Sequence, residues 1–232
     1  MNTTMLHGVI NLDKPPGITS ARAVGQVKRL LPRKTKIGHA GTLDPFATGV
    51  LLLLIGQATK SCETLMNAPK AYEAVVKFGA TTATDDPESP EIPFREASEP
   101  IKPVTLAQIE AVLPRFIGSI QQRPPVFSAM KIAGRRAYDM ARKGEIVELQ
   151  ARSVRVDEIK VLACEWPLLR LNVSCGRGTY IRSLARDLGE ALNVGGYLTE
   201  LRRSRVGAFY ARDAVTLEQL KNKGVEIFLT PV

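Results

Sequence analysis

Gly38-His39-Ala40-Gly41-Thr42-Leu43-Asp44-Pro45-Phe46-Ala47-Thr48-Gly49 runs directly into Val50-Leu51-Leu52-Leu53-Leu54-Ile55. The six apolar residues are the longest unbroken apolar run in the chain. They describe a buried strand and fall far short of the roughly 20 residues that span a bilayer. The glycines before them permit tight turning and close approach of a ligand. Pro45 pushes Asp44 out of helical geometry, so one acid is displayed on a loop among small residues. No Gly-Lys-Ser/Thr follows, which excludes a phosphate-binding P-loop. Read from these residues alone, Asp44 is either a catalytic carboxylate or a turn-forming partner of Thr42.

Working outward, Gly8 to Leu12 reads as a short strand entering the turn Lys14-Pro15-Pro16-Gly17. Thr19 or Ser20 caps a helix with Val24, Val27, Leu30 and Leu31 on one face, stopped by Pro32. A second helix is expected near Ala58 to Met66. Tyr72, Ala74, Val76 and Phe78 alternate along a half-buried strand. Thr105 caps a helix carrying Ile109, Val112 and Leu113. Gln121 to Lys143 is basic and irregular, then helical from about Ala137. Ser153 to Ala163 and Leu168 to Cys175 read as strands. Thr179 opens a helix with Ile181, Leu184, Ala185, Leu188 and Leu192 on one side. Helices and strands alternate without a βαβ rhythm. The fold class expected is therefore α+β, with a mixed, mostly antiparallel central sheet flanked by helices and loops.

The 232 residues suffice for one large domain with a substantial core. Hydrophobic residues at 44% and charged residues at 24% exclude disorder and fibrous classes. The opening residues lack a basic segment followed by an apolar one, so no secretory signal is expected. Cys62, Cys164 and Cys175 are scattered and odd in number, which points to a reducing cytosol without zinc spacing. His7 and His39 have no metal-ligand partner nearby, and no catalytic metal is expected. The net charge of +9 favours a polyanionic partner. Six basic residues and no acid lie between Arg22 and Lys36, and eight basic against three acidic between Arg123 and Arg155. The acids collect in Asp85 to Glu99, a proline-punctuated stretch that reads as a solvated loop.

Cys175-Gly176-Arg177-Gly178-Thr179-Tyr180-Ile181-Arg182 is the second unusual segment. Arg182 in the first turn of a helix opposes the helix dipole. Either a carboxylate or phosphate meets it, or it is solvated; the residues leave both open.

Taken together, the motifs resemble one family. GHAGTLDPFATG, Gly38 to Gly49, is similar to the catalytic signature of the TruB family of tRNA pseudouridine synthases. Lys14-Pro15-Pro16-Gly17, Lys70-Ala71-Tyr72, Arg123-Pro124-Pro125-Val126-Phe127-Ser128-Ala129-Met130-Lys131, GTYIRSLARDLG (Gly178 to Gly189) and Leu201-Arg202-Arg203 resemble further family motifs, in order. The resemblance implies the pseudouridine synthase fold. It also implies isomerisation of uridine at position 55 in the tRNA T loop, without metal or organic cofactor. Asp44 carries over as the nucleophile, Arg182 as the arginine that pairs with it, and Tyr72 as the base-stacking residue and candidate proton acceptor. Tyr180 and Leu201 are implied as uridine-pocket residues, and His39 fills the space of the flipped base. Lys14, Lys131 and Arg202 are implied as RNA contacts.

The same resemblance reads residues 1–232 as a single catalytic domain, with a basic RNA-contacting insertion at about 121–150 and no full C-terminal PUA domain. The partner expected is the tRNA T-arm, met by a cytoplasmic monomer without membrane or obligate protein partner. The alternative is a non-catalytic RNA-binding or tRNA-folding module, against which Asp44, Tyr72 and Arg182 together argue. Phosphate contacts then dominate affinity. With about 5 to 7 phosphates engaged, a plot of log K against log salt is expected to fall with a slope of roughly −3.5 to −6. Filter binding across a salt series checks this, and a flat plot would contradict it.

Overall fold

A computed structural model of the protein describes residues 6–95, 101–128, 131–132, 135–136 and 149–231. The chain begins with β1 (Gly8–Lys14), α1 (Ser20–Lys28), β2 (Ile37–His39), β3 (Thr48–Ile55) and α2 (Cys62–Asn67). It continues through β4 (Lys70–Phe78), β5 (Ala80–Thr82), β6 (Glu91–Pro93), α3 (Leu106–Val112) and β7 (Gly118–Gln122). Then come β8 (Lys131–Ile132), β9 (Arg135–Arg136), β10 (Arg152–Glu165), β11 (Leu168–Cys175) and α4 (Ile181–Ala191). The last elements are β12 (Gly196–Val206), β13 (Phe209–Tyr210) and α5 (Leu217–Lys223). The helix expected from about Ala137 lies outside the described residues.

Two compact units partition the chain, one formed by Met1–Glu73 with Leu201–Val232 and the other by Ala74–Glu200. The chain passes between them twice, within β4 and within β12.

In the first unit β1 pairs antiparallel with β3 along its full length, from Gly8↔Ile55 to Lys14↔Gly49. β2 pairs antiparallel with the end of β3, and β12 pairs parallel with its beginning through Arg202↔Thr48 and Arg203↔Gly49. Val50 to Ile55 are all buried, which accounts for a continuous apolar run in place of an alternating one. Val9, Ala40, Val50, Leu52, Leu54, Ala58 and Val206 form one core cluster, lined by Leu65, Met66 and Phe209. At Gly49 φ is +97°, and a Cβ would stand 2.3 Å from the Arg203 carbonyl oxygen. Only glycine lets β12 approach β3 there.

Thr19 is the N-cap of α1, its hydroxyl accepting from the Arg22 amide at 3.1 Å. The buried face is Ser20, Ala23 and Val27, and the helix ends at Lys28, before the expected stop at Pro32. Leu30 is consequently exposed. Thr105 and Thr216 each close a capping box with the glutamine three residues on.

In the second unit β10 lies between β7 and β11, antiparallel to both. Val154, Val156 and Ile159 face inward from β10 among exposed polar neighbours. Its register shifts between Val156 and Glu158, which moves the buried position from even to odd numbers. β5 and β6 form an antiparallel hairpin enclosing the loop that carries Asp85 and Asp86. Apart from the parallel β3–β12 contact, the strand pairings described here are antiparallel, as the α+β reading anticipated. No helix among the described residues is long and apolar enough to cross a membrane.

Candidate active site

The loop bearing Asp44 is held by buried side chains acting on its backbone. Lys14 is 0% exposed, and its ammonium donates to the carbonyls of Pro15 (2.8 Å), Ile18 (2.9 Å) and Pro45 (3.1 Å). Ser20 Oγ accepts from the Leu43 amide at 2.9 Å and donates to the Leu43 carbonyl at 3.0 Å. Arg203, 1% exposed, donates from Nε to the Val50 carbonyl (2.7 Å), from Nη1 to Thr42 (3.3 Å) and from Nη2 to Gly41 (3.1 Å). Backbone bonds complete the frame: Ala40 N–H to Leu52 O, Gly17 N–H to Pro45 O, and Ala47 N–H to Asp44 O. Gly41, at φ +90°, supplies the left-handed turn between His39 and Asp44. Residues 39 to 45 are thus held through their backbone from several elements.

This placement revises one expectation. Lys14 was read as an RNA contact, yet its ammonium is enclosed and spent on carbonyls. It acts as a strut for the Asp44–Pro45 turn, because a buried ammonium must satisfy its donors internally. Lys70 is built the same way: buried, it donates to Met66 O at 2.8 Å and Ala68 O at 2.7 Å. Those bonds fix the turn that launches β4 and Tyr72, which is itself buried. Leu201 is buried on β12. Arg202 forms a two-point pair with Asp13, Nη1 to Oδ1 at 3.0 Å and Nη2 to Oδ2 at 2.9 Å, and remains partly exposed. Burial, aided by the Arg203 charge, lowers the His39 pKa against an opposing backbone hydrogen bond at Gly41, so the imidazole is neutral at physiological pH.

In the second unit Tyr180 is the N-cap of α4. The Gln122 side chain pairs with its backbone in both directions, Nε2 to Tyr180 O at 3.0 Å and Tyr180 N to Oε1 at 2.8 Å. The Arg152 guanidinium lies 5.2 Å from the Tyr180 ring centroid. Arg182 is 4% exposed. Its Nη1 donates to Asp86 Oδ2 at 3.0 Å and to Thr84 O at 2.9 Å, and its Nη2 to Phe127 O at 2.9 Å.

The stretch from Asp85 was read as a solvated loop, and here the structure corrects the sequence. Asp86 is 2% exposed and accepts from Thr84 Oγ1 and the Glu88 amide besides Arg182. Asp85 pairs with Arg186 at 2.9 Å. Glu91 accepts from Lys77 at 2.6 Å and from the Tyr197 hydroxyl, and both bonds lower its pKa. Three carboxylates that composition consigned to solvent are therefore engaged with cations. For Asp85 and Asp86 proline spacing hid this, since nothing local reveals a partner about a hundred positions away. The backbone of Lys131 lies in β8.

The sequence matches two family models in succession. The first is the N-terminal domain of the TruB family pseudouridylate synthases, over residues 28–181, and the second the tRNA pseudouridylate synthase B C-terminal domain, over residues 182–226. The chain belongs to the TruB family. A tRNA pseudouridine synthase B of Pseudomonas putida is 46% identical over 233 residues, covering 97% of this chain and 74% of that protein. Its counterpart in Phocaeicola vulgatus is 47% identical, covering 90% of each. Among solved structures, a chain of a Cbf5–Nop10–Gar1 complex superposes with a TM-score of 0.70 at 33% identity, over 95% of this chain. The present chain spans 57% of that one. The pseudouridine synthase fold expected from the motifs is thus found.

Within this TruB-family chain the Ser20 hydroxyl is the most economical test of the loop frame. Ser20→Ala leaves the Leu43 amide and carbonyl without that partner in a dry interior. A loss of about 1 to 3 kcal/mol in urea unfolding is expected, together with a lower turnover number. Unchanged stability would show that the frame does not depend on this hydroxyl.

Proposed function

We infer that the protein converts uridine at position 55 of the tRNA T loop to pseudouridine, with Asp44 as nucleophile. The observation that carries this is the rigid display of one aspartate on a glycine-rich loop clamped by Lys14, Ser20 and Arg203. Family membership supplies the reaction class. The target base lies in a folded RNA loop and is extruded before reaction, at a cost of a few kcal/mol in lost stacking. The Asp44 carboxylate then attacks C1′ of the ribose or C6 of the base. The N1–C1′ bond breaks, the base turns, C5 bonds to C1′, and the bond to Asp44 breaks, which returns the carboxylate. The C5 proton leaves to a base and N1 regains one, so atoms balance and no oxidant is needed.

Arg182 is the cation assigned to this chemistry. Tyr72 is assigned to stacking on the base and to accepting the C5 proton, and Tyr180 and Leu201 to the uridine pocket. Neutral His39 takes the space the base vacates. Lys131 and Arg202 are assigned to RNA contact, the latter through whatever charge its pairing with Asp13 leaves unneutralised. Because the two family matches run without interruption across both compact units, we treat the units as parts of one catalytic domain. The setting proposed is a cytoplasmic monomer acting on tRNA.

Asp44→Asn is nearly isosteric and suits the same turn. A neutral amide forms no adduct, so pseudouridine formation on an unmodified tRNA transcript should stop, while tRNA affinity stays within about tenfold, or 1.4 kcal/mol. Comparable pseudouridine from a preparation free of host synthase would overturn the mechanism. Arg182→Lys keeps the charge but loses the planar fork that reaches Asp86, Thr84 and Phe127. A large fall in kcat with a modest change in tRNA binding is expected, and near-normal turnover would remove Arg182 from the chemistry.

A further inference from the structure

Arg182 and Arg186 lie four residues apart on α4 and therefore on one face of it. Each joins a carboxylate of the β5–β6 loop to a backbone carbonyl of the segment following β7. Arg182 joins Asp86 to Phe127 O. Arg186 donates through Nη1 to Asp85 Oδ2 at 2.9 Å and through Nη2 to Arg123 O at 2.9 Å. The Arg123 carbonyl also accepts from Ser183 Oγ at 2.8 Å. Gln122, immediately before, is locked onto the Tyr180 backbone. Residues 122 to 127 are thus strapped to the start of α4 at three successive points. The Arg123 side chain is exposed on this strap. In sequence the strap leads directly into Lys131, Arg135, Arg136, Arg142 and Lys143.

The two bridges differ in surroundings. Arg182 and Asp86 are 4% and 2% exposed, whereas Arg186 and Asp85 are 20% and 14% exposed. The Asp85 backbone is anchored independently, its amide donating to Thr82 O and its carbonyl accepting from the Leu198 amide. The loop therefore keeps its path if the carboxylate is neutralised. What is lost is one of the two charges that orient Arg186, the other being Asp187, whose Oδ1 accepts from Nε at 2.9 Å and from Nη2 at 2.7 Å.

We propose that Asp85 and Arg186 are positioning residues for tRNA binding: their bridge holds the Arg123–Phe127 strap at the root of the basic stretch and sets substrate affinity, while the Asp86–Arg182 bridge serves the chemical step. The proposal rests on the tRNA-modifying function inferred above. It gives the pair a defined dependence on pH. Burial raises the Asp85 pKa to about 6, more than the Arg186 and Arg182 charges lower it, with Asp187 adding to the rise. Arg186, Arg182 and Asp187 are the charged groups of α4 that face it, and Asp86 is its neighbour on the loop. Above pH 6 the carboxylate is ionised and holds Nη1 of Arg186, while Asp187 holds Nε and Nη2. Below pH 6 it is protonated and the bridge weakens.

Asp85→Asn tests this. Asn tolerates the left-handed φ of 58° at this position, so the variant keeps the loop. Binding of a tRNA transcript is measured with Asp44→Asn in both parent and variant, so that turnover does not intervene. Single-turnover rates at saturating enzyme are measured with Asp44 intact. Expected are a Kd raised about 5-fold at pH 7.5, as for loss of a partly buried pair, and a single-turnover rate within about twofold. The ratio of variant to parent Kd should fall toward one by pH 5.5, where parent Asp85 is itself neutral. An unchanged Kd at pH 7.5, a ratio that does not move with pH, or a rate loss without an affinity loss would each overturn the proposal. Should Asp85→Asn melt well below the parent, Arg186→Gln, measured the same way, carries the test. If the parent bound tRNA yet formed no pseudouridine, the functional reading would fail and the binding comparison would still decide this one.

Discussion

A carboxylate on a glycine-rich loop is useful as a nucleophile only if the loop cannot wander, and glycine makes wandering cheap. The constraint that resolves this conflict is the clamp on residues 41 to 45. Lys14, Ser20 and Arg203 come from β1, the first turn of α1 and β12, and between them they bind the backbone of Gly41, Thr42, Leu43 and Pro45. Most of these contacts end on carbonyl oxygens. Such contacts restrain the main chain whatever the side chains do. The clamp also explains Gly49: the Arg203 backbone must lie against it for the guanidinium to reach Gly41 and Thr42.

Buried cations recur throughout the molecule in this structural role. Lys14, Lys70 and Arg203 each direct their donors at carbonyls, and Arg182 adds a carboxylate. Burying a charge without partners is costly, and removing one partner from a buried pair leaves that cost uncompensated. These groups therefore hold the backbone in one arrangement more than they add net stability. The adverse placement of Arg182 in the first turn of α4 follows the same logic. Asp86 supplies the negative charge that the helix dipole would otherwise want at that end.

The two arginine bridges tie α4, the loop between β5 and β6, and the strap after β7 into one network. A strongly basic protein thus uses part of its scarce acid internally. Asp13, Asp85, Asp86 and Glu91 are all engaged with arginine or lysine. The positive charge available to a polyanion is consequently less than a count of lysines and arginines implies, and its distribution differs from the distribution along the chain.

Local patterns were enough to read much of this protein. The apolar run of β3, the capping threonines of α1 and α3, the strand run of β10 and the apolar face of α4 are short-range features, decided by neighbours a few residues apart, and they stand in the structure as read. The ordered motifs identified the family and, through their resemblance to the family's signatures, pointed to Asp44, Tyr72 and Arg182 as candidates. The partners of the charged groups were not legible. Lys14 read as an RNA contact and Asp86 as part of a solvated loop, since both types prefer water unless something distant satisfies them. The Pro45 carbonyl lies 31 positions from Lys14, Arg182 lies 96 from Asp86, and Arg202 lies 189 from Asp13. Chain composition and local order determined which elements form and which chemistry is on offer. Only the tertiary structure decided which charges are buried and paired, because that depends on contacts closed over long stretches of chain.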